Sequence, residues 1–304
     1  MFLFQRLFFL ATVLLIPTSI ALSAPTEPAA SSIRATTFNI RWFGLGGTME
    51  GSPSDERRDQ SIREFLSTNV LPTDVIAFEE IVDVARLRGL LPTGWTCVGY
   101  THSAAKHQHV ELCTSPRFTL AKASYDNNYT IEGVAINASK SRPAVRADLV
   151  ERSSGRRLLR VIGVHLKAYP NEAATRETQA EEIAADLAQA SDDLPVLVMG
   201  DFNTYPASTT GASLDDVDRI EQVLASAATR FKIRHIAHTE RYTYRNNRQR
   251  SLFDHFYLTA DAQVARAPWV FSVCNTNKAN FTNFRYYYDN VSDHCPTTID
   301  IELP

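Results

Sequence analysis

The chain has 304 residues, 44% of them hydrophobic and 21% charged, with a formal net charge of −3. That length suits one large domain or two small ones, and the mixture is that of a globular protein rather than a disordered or fibrous one. The charge excludes a global basic footprint, so an anionic partner must be drawn locally or through a bound cation.

Residues 1–23 read as a secretory signal peptide. Arg6 precedes a long apolar run that ends in Ala21-Leu22-Ser23, with cleavage expected after Ser23. Pro17 and the small Ala21 and Ser23 set the segment apart from a membrane anchor. Residues 24–32 form a short tether, and residues 33–304, with no linker among them, read as one domain. No other segment is apolar and long enough to span a bilayer as a helix. The expectation is a secreted or periplasmic monomer with no stable membrane association.

RATTFNI (34–40) is a β-rich run. A helix is predicted over 54–70, with Ser54 as its cap, acids in the first turn, and Ile62, Phe65, Leu66 and Val70 on one face. DVIAFEEI is a buried-type strand ending in Glu79 and Glu80. Three β-runs follow between about 95 and 137. PAVRADLVER and RRLLRVIGVHL flank a Ser-Ser-Gly turn and read as a hairpin. The next helix, over 172–190, aligns Ala173, Ala180, Ile183, Leu187 and Ala190. LPVLVMGDFN is a strand with a polar end. A helix near 214–227 comes next, then the β-runs LFDHFYL, WVFSV and TTIDIEL. Strands outnumber helices and the helices fall between them, which predicts a layered α/β fold with large mixed sheets.

The four cysteines fit an exported protein. An even count in an oxidising compartment predicts two disulfides, for which three connectivities exist. Cys97 and Cys113 flank a hairpin-like stretch, and Cys274 and Cys295 bracket an aromatic loop. The expected pairs are therefore Cys97–Cys113 and Cys274–Cys295, each closed loop adding about 3 kcal/mol in the chain-entropy model. A zinc site is the rival use, against which stands the lack of any Cys-x-x-Cys pair. Cys295, next to His294, can also be read as a nucleophile.

The apolar runs end in the same kinds of residue: Asn39, Glu80, His165, Asp201 with Asn203, Asp254, and Asp293 with His294. A lone polar residue at a strand tip is usually a turn residue, so it is their joint order that points to function. If the tips share one sheet edge, the gathered carboxylates repel one another unless a cation with oxygen ligands, Mg²⁺ or Mn²⁺, sits among them. Histidines beside such a cation suit proton transfer and stabilisation of a phosphoryl oxyanion. The chemistry this suggests is metal-assisted hydrolysis of a phosphate ester.

The motifs FNIRWFG, GDFN and SDHCP, with AFEEI where a Gln-Glu pair is usual, resemble those of the endonuclease/exonuclease/phosphatase superfamily. That is the fold of pancreatic-type deoxyribonuclease and apurinic-site endonucleases, and the resemblance covers about residues 33–304. It implies a four-layer sandwich of two mixed β-sheets flanked by helices. It implies that Glu80 ligates the metal, with Asn39 and Asp293 nearby, and that Asp201 and Asn203 position water and phosphate. His294 is then a base or a contact to the scissile phosphate, oriented by Asp254. His165 contacts a phosphate oxygen or protonates the leaving group. Mg²⁺ is the expected cofactor, with Mn²⁺ or Ca²⁺ as alternatives. A Cys274–Cys295 bridge would hold the loop that ends in Asp293-His294. Two positions depart from the deoxyribonuclease pattern. Arg142 directly precedes Pro143, without the intervening Glu, and Val82 stands where a groove-reading arginine is found.

The superfamily also contains sphingomyelinases and inositol phosphatases, so fold leaves the substrate open. RYTYRNNRQR (241–250) interleaves Arg241, Arg245, Arg248 and Arg250 with Tyr242 and Tyr244, which suits phosphate contact and base stacking. NFRYYYDN adds Arg285 and three tyrosines. A solvated hairpin and a packed aromatic cluster would account for the same stretches. The expected activity is hydrolysis of DNA with little sequence preference, with RNA as an open further substrate. Arg41, Arg142, Tyr242, Arg245 and Arg248 are the expected substrate contacts. A phosphoesterase acting on lipid or small-molecule esters, and an inactive binding module, are the alternatives. No exposed aromatic hairpin or basic amphipathic helix suited to a membrane surface is evident. His102, His107 and His109 read as a polar hairpin tip, or else a metal site. Asn128, Asn137, Asn280 and Asn290 lie in N-x-S/T sequons, and a glycan on Asn290 would crowd the site.

Overall fold

The structure is a computed structural model that describes residues 32–46, 55–70, 72–100, 107–136, 141–227, 230–271, 273–276 and 281–303. The expected signal peptide, most of the expected tether, Ser54, His102, Asn137 and Asn280 lie outside the described residues. In chain order, strand β1 (Ser32–Phe43) leads to helix α1 (Asp55–Phe65), which continues as a π-helical turn at Leu66–Val70. Strand β2 (Val75–Ile81), helix α2 (Val84–Leu90) and the paired β3 (Thr96–Gly99) and β4 (His109–Thr114) follow. Next come β5 (Phe118–Ala121), β6 (Thr130–Ile131), β7 (Ala144–Glu151) and β8 (Arg157–His165). Helix α3 (Ala173–Leu187), β9 (Val196–Asp201), α4 (Ala207–Thr210), α5 (Asp216–Ala227) and β10 (Ile233–His235) complete the middle. The remainder is the small hairpin β11 (Tyr244–Arg245) and β12 (Arg250–Ser251), then β13 (Asp254–Thr259), β14 (Gln263–Val270), α6 (Phe281–Asn290) and β15 (Thr297–Glu302).

Two mixed sheets form, ordered β14-β15-β1-β2-β4-β3 and β10-β13-β9-β8-β7-β5, with β6 on β7. Side chains alternate between two apolar environments, which is why these strands read as continuous hydrophobic runs. Along β2, Val75 and Ala77 face the other sheet, while Ile76 and Phe78 pack with Ile62 of α1 and Leu87 of α2. Along β9, Leu197 and Met199 face inward, and Val196 and Val198 pack with Ile183 of α3 and Leu224 of α5. Each such buried Val, Leu, Ile, Phe or Met side chain contributes about 1.5–3 kcal/mol. The result is the expected sandwich: helices, sheet, sheet, helices. Within α1 and its extension, Ile62, Leu66 and Val70 are buried, as their spacing predicts.

Three departures from the sequence reading stand out. The aromatic stretch after residue 280 is a helix, α6, not a loop. Its tyrosines, phenylalanines and asparagines are poor helix formers, but Phe284, Tyr287 and Val291 bury one face, and Tyr287 sits edge-on to Phe65 of α1 at 5.2 Å. Helix α2 was not foreseen; Asp83 caps it by accepting from Arg86 N at 2.9 Å. The strand placed at WVFSV begins earlier, at Gln263, and ends at Val270. Both expected disulfides are present. Cys97–Cys113 joins residues that face one another across β3 and β4, and Cys274–Cys295 ties the turn at Val273–Asn275 to the loop before β15. Cys295 is therefore no nucleophile. Asn290 is 2% exposed and its amide donates to Tyr286 O at 2.8 Å, which leaves no room for a glycan.

Candidate active site at the joined sheet ends

The strand register brings the polar tips together. Asn39 of β1 pairs with Glu79 of β2, and His165 of β8 pairs with Asp201 of β9, which in turn pairs with Asp254 of β13. Asn39 joins the two sheets, its Nδ2 donating to Asp201 Oδ2 at 3.0 Å and to Glu80 Oε1 at 3.1 Å. Gly200 lets β9 run close against β8, since a Cβ there would lie 2.0 Å from Val164 O and its φ is 150°. Left-handed backbone at Arg41, Trp42, Glu80 and Asn203 breaks the alternation at the strand ends. Such conformations are costly, of order 1–3 kcal/mol, and cluster at working sites. One outcome is that Glu79 is fully buried against Thr37 Oγ1 at 2.8 Å, while its neighbour Glu80 reaches the cleft.

The loop carrying His294 is held from three sides. Ser292 Oγ donates to Asn39 O at 2.7 Å, the Tyr287 hydroxyl donates to His294 O at 2.7 Å, and Cys295 N donates to Thr243 O at 2.7 Å. His294 Nδ1 then donates to Asp254 Oδ2 at 2.9 Å, and its Nε2 lies 3.6 Å from Asp201 Oδ2. His165 Nε2 lies 3.5 Å from the same oxygen, so Asp201 stands between two imidazoles. Asp201 Oδ1 accepts from Asn203 N at 2.9 Å. Glu80 Oε2 accepts from Gln108 Nε2 at 2.7 Å and Trp42 N at 3.0 Å. Arg142 donates to Gln108 Oε1, and to His165 O at 3.2 Å. Arg41 Nε lies 3.9 Å from Asp293, with its guanidinium 4.3 Å over the Tyr288 ring.

These surroundings push the titrating groups apart. Burial alone would lower His294, but the Asp254 and Asp201 carboxylates hold it well above the usual imidazole range. Burial, then the charge of Arg142, pushes His165 well below it. Burial lifts Asp201 to about 7, with Asp254 adding to the rise against the pull of His294. Burial, then Asp293, raises Glu80. Buried carboxylates that raise one another mark a site short of positive charge, and Asp254 Oδ1 is buried without a hydrogen-bond partner. The donor set is carboxylate and amide oxygen, so a hard divalent cation fits at Glu80, with Asn39 and Asp293 beside it.

Asn39, Glu80, His165, Asp201, Asn203, Asp254, Asp293 and His294 thus converge as expected, with Arg41 and Arg142 on the rim. The 241–250 stretch divides. Arg245 is 5% exposed; its guanidinium stacks 4.0 Å over Phe284 and donates to Val273 O at 3.1 Å, a structural role rather than the expected substrate contact. Tyr242 is tied to Asn275 through its backbone and lies under Arg250. Arg248 is exposed on the β11–β12 hairpin. It is Tyr244 that reaches the site, 4.9 Å edge-on to His294. His109 is structural, with Nδ1 2.8 Å from Ile81 O.

Sequence reasoning missed a cleft of about 310 Å³ beside Glu80 and His165, lined also by Trp42, Gln108, Lys167 and Tyr169. Tyr169 is 64% exposed at left-handed φ 83°, just before Pro170. Trp42 lies inside a motif the sequence reading used. Gln108 and Tyr169 lie in loops with no spacing signal.

A two-sheet sandwich with carboxylates and imidazoles gathered at its strand ends defines a class of hydrolases that act on phosphoesters. The chain belongs to the Endonuclease/Exonuclease/phosphatase family, which matches residues 36–294. Enzymes of this family hydrolyse phosphoesters and generally use divalent metals. Solved structures share the fold at low identity. An endonuclease/exonuclease/phosphatase from Bacteroides vulgatus superposes with a TM-score of 0.63 at 16% identity, covering 90% of this chain and 99% of that one. TDP2 from D. rerio, complexed with single strand DNA product, gives 0.61 at 14%, covering 89% and 99%. A mannosyl-6-phosphatase from Bacteroides thetaiotaomicron gives 0.56 at 12%, covering 88% and 99%. No curated protein matches the sequence.

Proposed function

We propose that the protein is an exported, Mg²⁺-dependent phosphodiesterase that cleaves DNA, and RNA as well, with little sequence preference. The observation that carries this reading is the lining of the cleft. Trp42 and Tyr169 offer aromatic faces for bases, and Arg142 and Lys167 offer cations for phosphates, beside the Glu80–Asp201–His294 row. TDP2 from D. rerio, which shares the fold, is complexed with single strand DNA product, and that supports the reading. The signal-like N-terminal run and the two disulfides favour export.

Held at Glu80 with Asn39 and Asp293, Mg²⁺ would supply charge stabilisation at a phosphoryl oxygen. The protein's own groups do the rest. His294, kept cationic by Asp254, donates from Nε2 to a phosphoryl oxygen as negative charge grows there. Asp201 Oδ2 accepts a proton from the attacking water, and Asn203 N holds its other oxygen in place. His165, kept neutral, meets the phosphate with an imidazole N–H rather than a charge, and the leaving oxygen, freed as its P–O bond breaks, takes its proton from water.

A second reading is favoured by the size of the cleft, which lies at the small end for ligand pockets and would hold a sugar phosphate. The mannosyl-6-phosphatase shares the fold. The deciding experiment assays plasmid DNA, single-stranded DNA, RNA, sphingomyelin and a phosphomonoester with Mg²⁺, using wild type and His294→Ala. Cleavage of nucleic acid that is lost in the variant supports the first reading. Turnover of the monoester or sphingomyelin with nucleic acid untouched replaces it.

A further inference from the structure

Three histidines converge at the edge of the second sheet, outside the catalytic row. His235 ends β10, His238 follows in the next loop, and His255 lies in β13 directly after Asp254. The ring centroids of His235 and His255 are 5.1 Å apart, those of His238 and His255 5.5 Å, and those of His235 and His238 6.3 Å. One nitrogen from each ring lies within 4.8 Å of the others. His255 is 0% exposed. Its Nε2 lies 2.7 Å from Thr204 Oγ1, and its Nδ1 faces His235 Nε2 at 3.0 Å. Both nitrogens of His238 are buried, and the ring's one polar neighbour is the Asp254 backbone, which makes no well-formed hydrogen bond to it.

We propose that His235, His238 and His255 form a second metal site, selective for a cation that prefers imidazole, with Zn²⁺ as the best match. Three imidazoles with a water in the fourth position make a common zinc geometry, in which ligand nitrogens stand about 3.3 Å apart. The His235–His255 pair is already close to that spacing, and a small swing of His238 completes the set. Thr204 is the outer partner that fixes which nitrogen of His255 faces the metal, as ligating histidines require. Burial pushes His235 to about 4 and His238 to about 3, so both are in the neutral, ligating form at neutral pH. The catalytic row offers hard oxygen ligands and this cluster offers nitrogen, so the two sites select different ions. A bound ion would tie β10 and the loop after it to β13, the strand that begins with Asp254.

The test uses the folded, exported form of the chain in excess Mg²⁺, so that the catalytic row is filled. Zn²⁺ is added, the protein is desalted, and bound metal is counted by mass spectrometry alongside a calorimetric titration. Wild type is expected to keep one Zn²⁺ per chain and to melt at a higher temperature with it. The double variant His235→Ala/His238→Ala is expected to keep none and to show no rise. Should that variant fail to fold by circular dichroism, His238→Phe takes its place with at least a tenfold weaker affinity expected. Absence of retained Zn²⁺ in wild type, or undiminished retention in the folded variant, overturns the proposal.

Discussion

His294 donates from Nδ1 to Asp254 Oδ2 at 2.9 Å, and both side chains are all but sealed from solvent. Few waters can compete for that bond, so the carboxylate both fixes the ring and favours its charged form. Replacing Asp254 with Asn keeps the shape and removes the charge. The variant should lose about 10²- to 10⁴-fold in kcat with little change in KM. Because Asp254 raises the affinity of His294 for its proton, the alkaline limb of the kcat profile should move to lower pH. A limb that stays in place would show that His294 does not act as the cation.

Cation dependence is the next expectation. Chelation with EDTA should abolish activity, and Mg²⁺ should restore it. Glu80→Gln keeps the hydrogen bonds from Gln108 and Trp42 in part but removes a charge from the metal side. The Mg²⁺ concentration for half-activity should rise about tenfold, equivalent to about 1.4 kcal/mol of binding. Full activity in EDTA after dialysis would remove the metal from the mechanism.

Much of this site was legible because its residues sit at fixed places in buried strands. A run such as VLVMGDFN must be covered on both faces, so its first polar residues mark the end of the sheet. Asn39, His165, Asp201 and Asp254 stand at such tips, and it is their joint order, not any one of them, that marks the site. What depends on loops and on helix packing was not legible. Tyr169 gains its exposed position from a left-handed backbone, and Gln108 from the end of a loop. Arg245 and Arg248 are alike in sequence, yet one is buried over Phe284 and the other is exposed; only the fold of α6 decides between them. The histidine cluster had a faint signal in His235-x-x-His238, with its third member hidden beside Asp254.

Tyr169 tests the substrate. Tyr169→Ala should raise KM for single-stranded DNA by about 5-fold or more, the equivalent of one lost stacking contact. Turnover of a small phosphodiester should change little. Equal effects on both substrates would assign Tyr169 to holding the cleft's shape instead.

The Cys274–Cys295 bridge closes a loop with a sequence separation of 21 and ends beside His294. Cys274→Ser/Cys295→Ser should lower the unfolding free energy by about 3 kcal/mol. Activity should fall at denaturant concentrations where far-UV circular dichroism is still native, because the Thr243–Cys295 contact that seats His294 loosens first. Activity and ellipticity lost in a single step would argue against that order.

His238 gives a pH signature. Without metal, its folded pKa lies near 3 while an unfolded imidazole titrates near 6.5. As pH falls through that window the unfolded chain gains a proton that the folded chain refuses, so stability is lost, by up to about 1.4 kcal/mol per pH unit. His238→Phe cannot take up that proton. In EDTA, its melting temperature relative to wild type should therefore increase from pH 7 to pH 5. A constant difference would mean that His238 is protonated in the folded state.

The strand order β14-β15-β1 sets β15, which follows His294, beside β1, which carries Asn39. Until β15 has docked on β1, the Ser292–Asn39 contact is unsupported and Asp254 has no seated imidazole. The site is therefore completed by long-range pairing and not by any local segment, and a partly folded chain holds these residues without their geometry.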